Sequence, residues 1–71
     1  MGSFPMKFAE TLRELRLKRG FSQAEVAKLA EVHRNYYGEV ERGLRNVSLE
    51  NILRIAKALK VPPAKLFEKY R

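Results

Sequence analysis

Cysteine is missing from this 71-residue chain, and histidine occurs once, as His33. Without cysteine there can be neither a disulfide nor a thiolate metal site, and the composition suits a reducing cytosol. One histidine builds neither an ordinary zinc site nor a histidine-based catalytic pair. No metal, cofactor or small-molecule ligand is therefore expected. No hydrophobic run approaches the roughly 20 residues that span a bilayer, and no secretory apolar segment opens the chain. There is no nucleophile–base set and no phosphate-cradling glycine loop, so the sequence does not read as an enzyme. Low-complexity tracts, repeats, linkers and period-two strand patterns are also lacking.

What the chain does have is positive charge: 15 Lys and Arg against 8 Asp and Glu, a formal +7. Such a balance attracts polyanions, and duplex DNA presents a phosphate charge about every 1.7 Å of axis. At this length the chain is one domain near the lower limit for folding unaided, so dimerisation would contribute materially to stability.

The pattern predicts an all-α domain of five helices over residues 6–71. Residues 1–5 read as a tail, and Met1-Gly2-Ser3 resembles an initiator plus a cloning scar. Phe8, Leu12 and Leu15 give a first helix from about Met6 to Arg19 an apolar face, and Gly20 stops it in a left-handed turn. Ser22 and Glu25 make a capping box for a second helix, which turns Val26, Ala27 and Ala30 inward. A third helix, about Arg34 to Arg42, points Tyr37, Val40 and Leu44 to the core and ends at Gly43. Ser48 caps a fourth, with apolar positions Leu49, Ile52, Leu53, Ile55, Ala56 and Leu59. Val61-Pro62-Pro63 breaks the chain before a short fifth helix carrying Leu66, Phe67 and Tyr70.

Glu31-Val32-His33 is a turn short enough to cross helices two and three steeply, with Val32 plugging the core and His33 in the N-cap region. That geometry lets one helix lie across a DNA backbone while the next enters the major groove. Arg34 and Asn35 then face outward with Gly38 and Glu39. Arginine matches guanine O6 and N7, asparagine matches adenine N6 and N7, and a carboxylate such as Glu39 can accept from cytosine. Gln23, just inside helix two, stands where free backbone N–H groups favour a phosphate. Arg45 and Asn46 follow helix three in a loop suited to the neighbouring phosphate, and the Tyr36 hydroxyl is a further phosphate candidate. Arg16 and Glu41 fall together at the junction of helices one and three, as a structural ion pair. Two explanations of Gly38 stay open: a tolerated weak helix residue, or close approach of the helix backbone to DNA.

With these pieces in place, LRELRLKRGFSQAEVAKLA, VHRNYYGEVERG and RNVSLENILRIAKALKVPPAKLF resemble the phage-repressor and Cro type of helix-turn-helix domain, over about residues 7–68. The resemblance implies a homodimer on double-stranded DNA with a palindromic operator, in a bacterial, archaeal or phage-encoded protein of the cytoplasm. Within that family, HRNYY and VERGLRNVSL are similar to the controller proteins of restriction–modification systems, whose activity is transcriptional regulation. A dimer of this kind would use Leu59, Val61, Phe67 and Tyr70. Tyr37 departs from the family pattern, where a branched aliphatic is usual. Competing expectations are an antitoxin, a phage-type repressor, or a DNA-targeting module of a longer protein. Binding to a membrane surface through basic helix one ranks behind these, because the core accounts for its apolar residues.

Overall fold

The computed structural model describes residues 4–69. They form α1 (Phe4–Arg19), α2 (Gln23–Ala30), α3 (Arg34–Glu41), α4 (Leu49–Leu59) and a 3₁₀ turn at Pro63–Phe67. No strand occurs among the described residues. None of the helices among the described residues is long and apolar enough to cross a membrane. The first helix starts two residues earlier than the sequence pattern suggests, so residues 4 and 5 belong to α1 rather than to a tail. Pro5 is tolerated there because backbone N–H groups of a first turn have no helical acceptor to lose.

The fifth element is a tight five-residue 3₁₀ turn, not an α-helix. Pro62 and Pro63 withhold two backbone donors at its start. The turn still buries Leu66 completely and sets the Phe67 ring 5.8 Å from that of Phe8.

One core holds the helices together. Phe8 and Leu12 from α1, Val26 from α2, Tyr37 and Val40 from α3, and Ile55 and Leu59 from α4 are each fully buried. Each such side chain contributes about 1.5–3 kcal/mol of burial. The α2 helix packs on both α3 and α4, while α1 packs on α3 and on the terminal turn.

All four α-helices end in the same way. A left-handed residue follows the helix, and the next N–H reaches back five residues: Phe21 to Arg16, Val32 to Ala27, Leu44 to Glu39 and Val61 to Ala56. The left-handed position is glycine twice, Gly20 and Gly43, and a side-chain residue twice, Glu31 and Lys60. At Gly43 a Cβ would also crowd Met6, whose flexible side chain would have to shift, so φ is the firmer reason for glycine there. In this motif the residue after the left-handed one folds back onto its helix. Phe21, Val32 and Val61 do so and pack against the core, whereas Leu44 stays 67% exposed.

Leu44 therefore corrects the sequence pattern: α3 ends at Glu41, and the positive φ of Gly43 takes the chain off the helical spiral before Leu44 can turn inward. On α4, likewise, Ile52, Ile55, Ala56 and Leu59 are buried while Leu49 and Leu53 face outward.

Candidate nucleic-acid interface

The capping box at the start of α2 is fully made: Ser22 Oγ accepts from Glu25 N at 3.1 Å, and Glu25 Oε1 accepts from Ser22 N at 2.7 Å. These hydrogen bonds from the Ser22 backbone and hydroxyl hold the Glu25 carboxyl below its ordinary range. At the other end, Glu31 adopts φ 59° and the chain turns at once into α3. His33 occupies the N-cap of α3, its Nδ1 accepting from Asn35 N at 3.1 Å. Two eight-residue helices are thus fixed at a short interval.

Beneath α3 lies a buried ionic cluster. The Arg16 guanidinium grips Glu41 through Nε (2.9 and 3.1 Å) and Nη2 (2.7 Å), and gives Nη1 to the Phe21 carbonyl at 2.9 Å. Only 2% of the Glu41 side chain is exposed. Gln23 joins the cluster, its Nε2 donating to Glu41 Oε1 at 3.1 Å. Burial by itself would raise the Glu41 carboxyl, but the hydrogen bonds from Arg16 and Gln23, with the nearby Tyr37 phenol, outweigh it and hold the group below the usual carboxylate range. Hydrogen bonding to Glu41 in turn raises Arg16. Burial, then the Glu41 charge, keeps the Tyr37 phenol neutral far above its ordinary range, although its hydroxyl completes no well-formed hydrogen bond.

On the outer face, Arg34 and Asn35 are exposed at the first turn of α3. They line a groove of about 330 Å³ together with Gln23, Gly38, Glu39 and Arg42. The fold therefore brings the expected base-reading residues and the expected phosphate residue to one surface. Gln23 arrives with one amide hydrogen committed to Glu41, which leaves its second hydrogen and the first-turn backbone N–H groups for an anion.

Glu39, Arg45 and Tyr36 meet in a second cluster. Arg45 Nε lies 2.8 Å from Glu39 Oε1, and the Arg45 guanidinium sits 5.3 Å from the centre of the Tyr36 ring. The Tyr36 hydroxyl accepts from Asn51 Nδ2 at 3.1 Å, so its own hydrogen is left to donate. Both members of the Arg45–Glu39 pair are substantially exposed, and such pairs contribute about 1 kcal/mol at most. A phosphate or a base edge can therefore displace Glu39 from Arg45 at little cost. Asn46 is exposed in the same loop.

The sequence pattern does not single out Arg13, Arg42 or Asn51. Arg13 lies on α1, outside the two-helix motif, and Asn51 doubles as a first-turn residue whose N–H bonds Ser48 Oγ at 3.2 Å. Leu59, expected at a dimer surface, has no exposed area and serves the core of its own chain. Val61 and Phe67 are half-buried against that core, and Tyr70 lies outside the described residues.

A helix pair joined by a short turn on an all-helical scaffold, with a polar groove along its second helix, defines a class, and comparison with known proteins gives the same answer. Residues 12–66 match the helix-turn-helix family model, and the chain belongs to that family of DNA-binding regulators. Among relatives, it is 45% identical over 62 residues to the control protein C.BamHI of Bacillus amyloliquefaciens, covering 86% of this chain and 76% of that one. Control protein C.SmaI of Serratia marcescens is 41% identical over 58 residues, 82% of this chain and 69% of the relative. Among solved structures, the restriction-modification controller protein C.AhdI from Aeromonas hydrophila superposes with a TM-score of 0.87 at 52% identity, over 89% of this chain and 96% of that one.

Proposed function

We propose that this protein is a controller of the restriction–modification type, binding a palindromic operator as a homodimer and regulating transcription there. The observation that carries the reading is the pair Arg34 and Asn35. Both are exposed at the start of α3, neither side chain is engaged by another group of the described residues, and the helix beneath them is anchored through Glu41. Arg34 takes guanine and Asn35 takes adenine; Gln23 and the α2 N-terminus hold a phosphate, with Arg45, Tyr36 and Asn46 on the neighbouring backbone. Glu39 tunes the approach, either accepting from cytosine or holding Arg45 until DNA arrives.

For the dimer, the outward leucines are better placed than the residues expected from sequence. Leu49 and Leu53 stand one turn apart on α4, 71% and 48% exposed, and Leu44 precedes them in the loop. Apolar area concentrated in this way marks an interaction surface.

Selection of bound DNA from a random pool is the test. The expected motif has two symmetric half-sites about 34 Å apart, one turn of DNA. Arg34→Ala should cost about 1–3 kcal/mol of preference at a single base position. Recovery of no motif, or an Arg34→Ala protein with unchanged preference, would overturn the assignment.

A further inference from the structure

Two arginines on the DNA-facing side are answered by a carboxylate: Arg16 by Glu41 and Arg45 by Glu39. Arg34, Arg42 and Arg13 are not; among the described residues none of the three has an ion-pair partner. Arg34 already has a role in the proposed function. The other two do not.

Arg42 follows α3 directly and is exposed, with its backbone N–H closing the helix. Its Nη1 and the Gln23 Oε1 each lie 3.5 Å from where a Gly38 side chain would begin, so the two groups converge over the bare backbone of Gly38. Arg13, exposed on α1, shares a cleft of about 510 Å³ with Arg16, Gln23, Glu41 and Arg42. This cleft and the groove along α3 have Gln23 and Arg42 in common, so the two cavities adjoin at those side chains. Arg16 and Glu41 neutralise one another in the cleft. Arg13 and Arg42 are left as like charges facing one cleft, and their combined field favours an anion there.

We infer that Arg42 and Arg13 form a second phosphate seat, which takes the phosphodiester backbone of the duplex beyond the phosphate held at Gln23. The recognition surface then extends off the helix-turn-helix and onto α1. Guanidinium forks suit phosphate oxygens, and contacts of this kind set register and affinity without reading sequence. The inference rests on the DNA-binding reading above.

The test is a salt titration of full-chain protein on its selected site and on a scrambled duplex, for wild type, Arg42→Ala, Arg13→Ala and Arg42→Lys. Each alanine variant should lower the slope of log K against log salt by about 0.9, the share of one phosphate. The loss of affinity should be equal on both duplexes, and Arg42→Lys should keep the wild-type slope. Both side chains are exposed, and a thermal melt of each variant should match wild type. If wild type selects a site while both alanine variants keep its slope, this inference falls and the DNA-binding reading stands. If wild type discriminates between no sequences, both fall.

Discussion

Gly38 on α3 and Arg42, the residue that caps it, stand one turn apart, and what one lacks sets what the other can do. A glycine inside a helix costs about 1 kcal/mol relative to alanine. Packing within the chain does not demand it here: a Cβ would meet Gln23 Oε1 and Arg42 Nη1 at 3.5 Å, an ordinary van der Waals contact. Of the two explanations that the sequence leaves open, close approach to DNA is the one with a testable cost, with Gly38 buried under Gln23 and Arg42 in the free protein. Gly38→Ala should therefore stabilise the isolated protein by about 1 kcal/mol while weakening operator binding. Paired thermal melts and binding isotherms check both halves, and an alanine variant that binds as tightly as wild type would return Gly38 to the status of a tolerated weak residue. Arg34 and Asn35 were legible as base readers from their side-chain chemistry and their place after a tight turn. Arg42 was not, because its value lies in the Gly38 gap beside it and in the cleft it shares with Arg13.

At the scale of the element, α3 is held by one residue more than any other. Glu41 is clasped by Arg16 from α1 and by Gln23 from α2, so the acid that anchors the recognition helix also tethers the expected phosphate contact. Removing one partner of a buried pair leaves the other charge uncompensated, and Glu41→Gln should cost about 3–5 kcal/mol. The pH dependence follows from the sign of the shift. Glu41 is held below the usual carboxylate range in the folded protein, so its contribution is complete above the unfolded value of about 4.3 and fades as pH falls through the lower folded value. Denaturant unfolding from pH 7 down to pH 3 should show a shallower acid decline in Glu41→Gln than in wild type; parallel curves would remove Glu41 from the acid response. The helix ends teach a related lesson. Gly20 and Gly43 announced their left-handed turns in the sequence, while Glu31 and Lys60 adopt the same conformation with side chains that usually avoid it.

At the scale of the whole molecule, each copy carries one recognition helix, whereas half-sites one turn of DNA apart are separated by roughly 34 Å. One copy with one recognition helix therefore cannot read a full palindrome, and dimerisation is built into the proposed function. Leu53→Arg should convert a dimer to a monomer in sedimentation and raise the protein concentration needed for operator binding. Should Val61→Arg do this and Leu53→Arg not, the interface lies at the C-terminal end of the domain instead. Leu44 was read as core from sequence, and Leu49 and Leu53 only as apolar positions of the fourth helix, because apolar periodicity cannot tell an inward face from a surface kept for another chain.

The sequence by itself determined the class of fold and the act performed. Capping signals, helical periodicity and short turns are local, each written in a few adjacent residues, and together they delimit a helix-turn-helix with Arg34 and Asn35 outward. Only the tertiary structure decided which charges are answered and which apolar residues are covered. Gln23 bound to Glu41, Arg45 held between Glu39 and Tyr36, Arg13 and Arg42 left open on one cleft, and Leu44 left outside are relations between elements distant along the chain. Their physical reason is packing: whether a charge is paired or a leucine buried depends on what the fold brings against it.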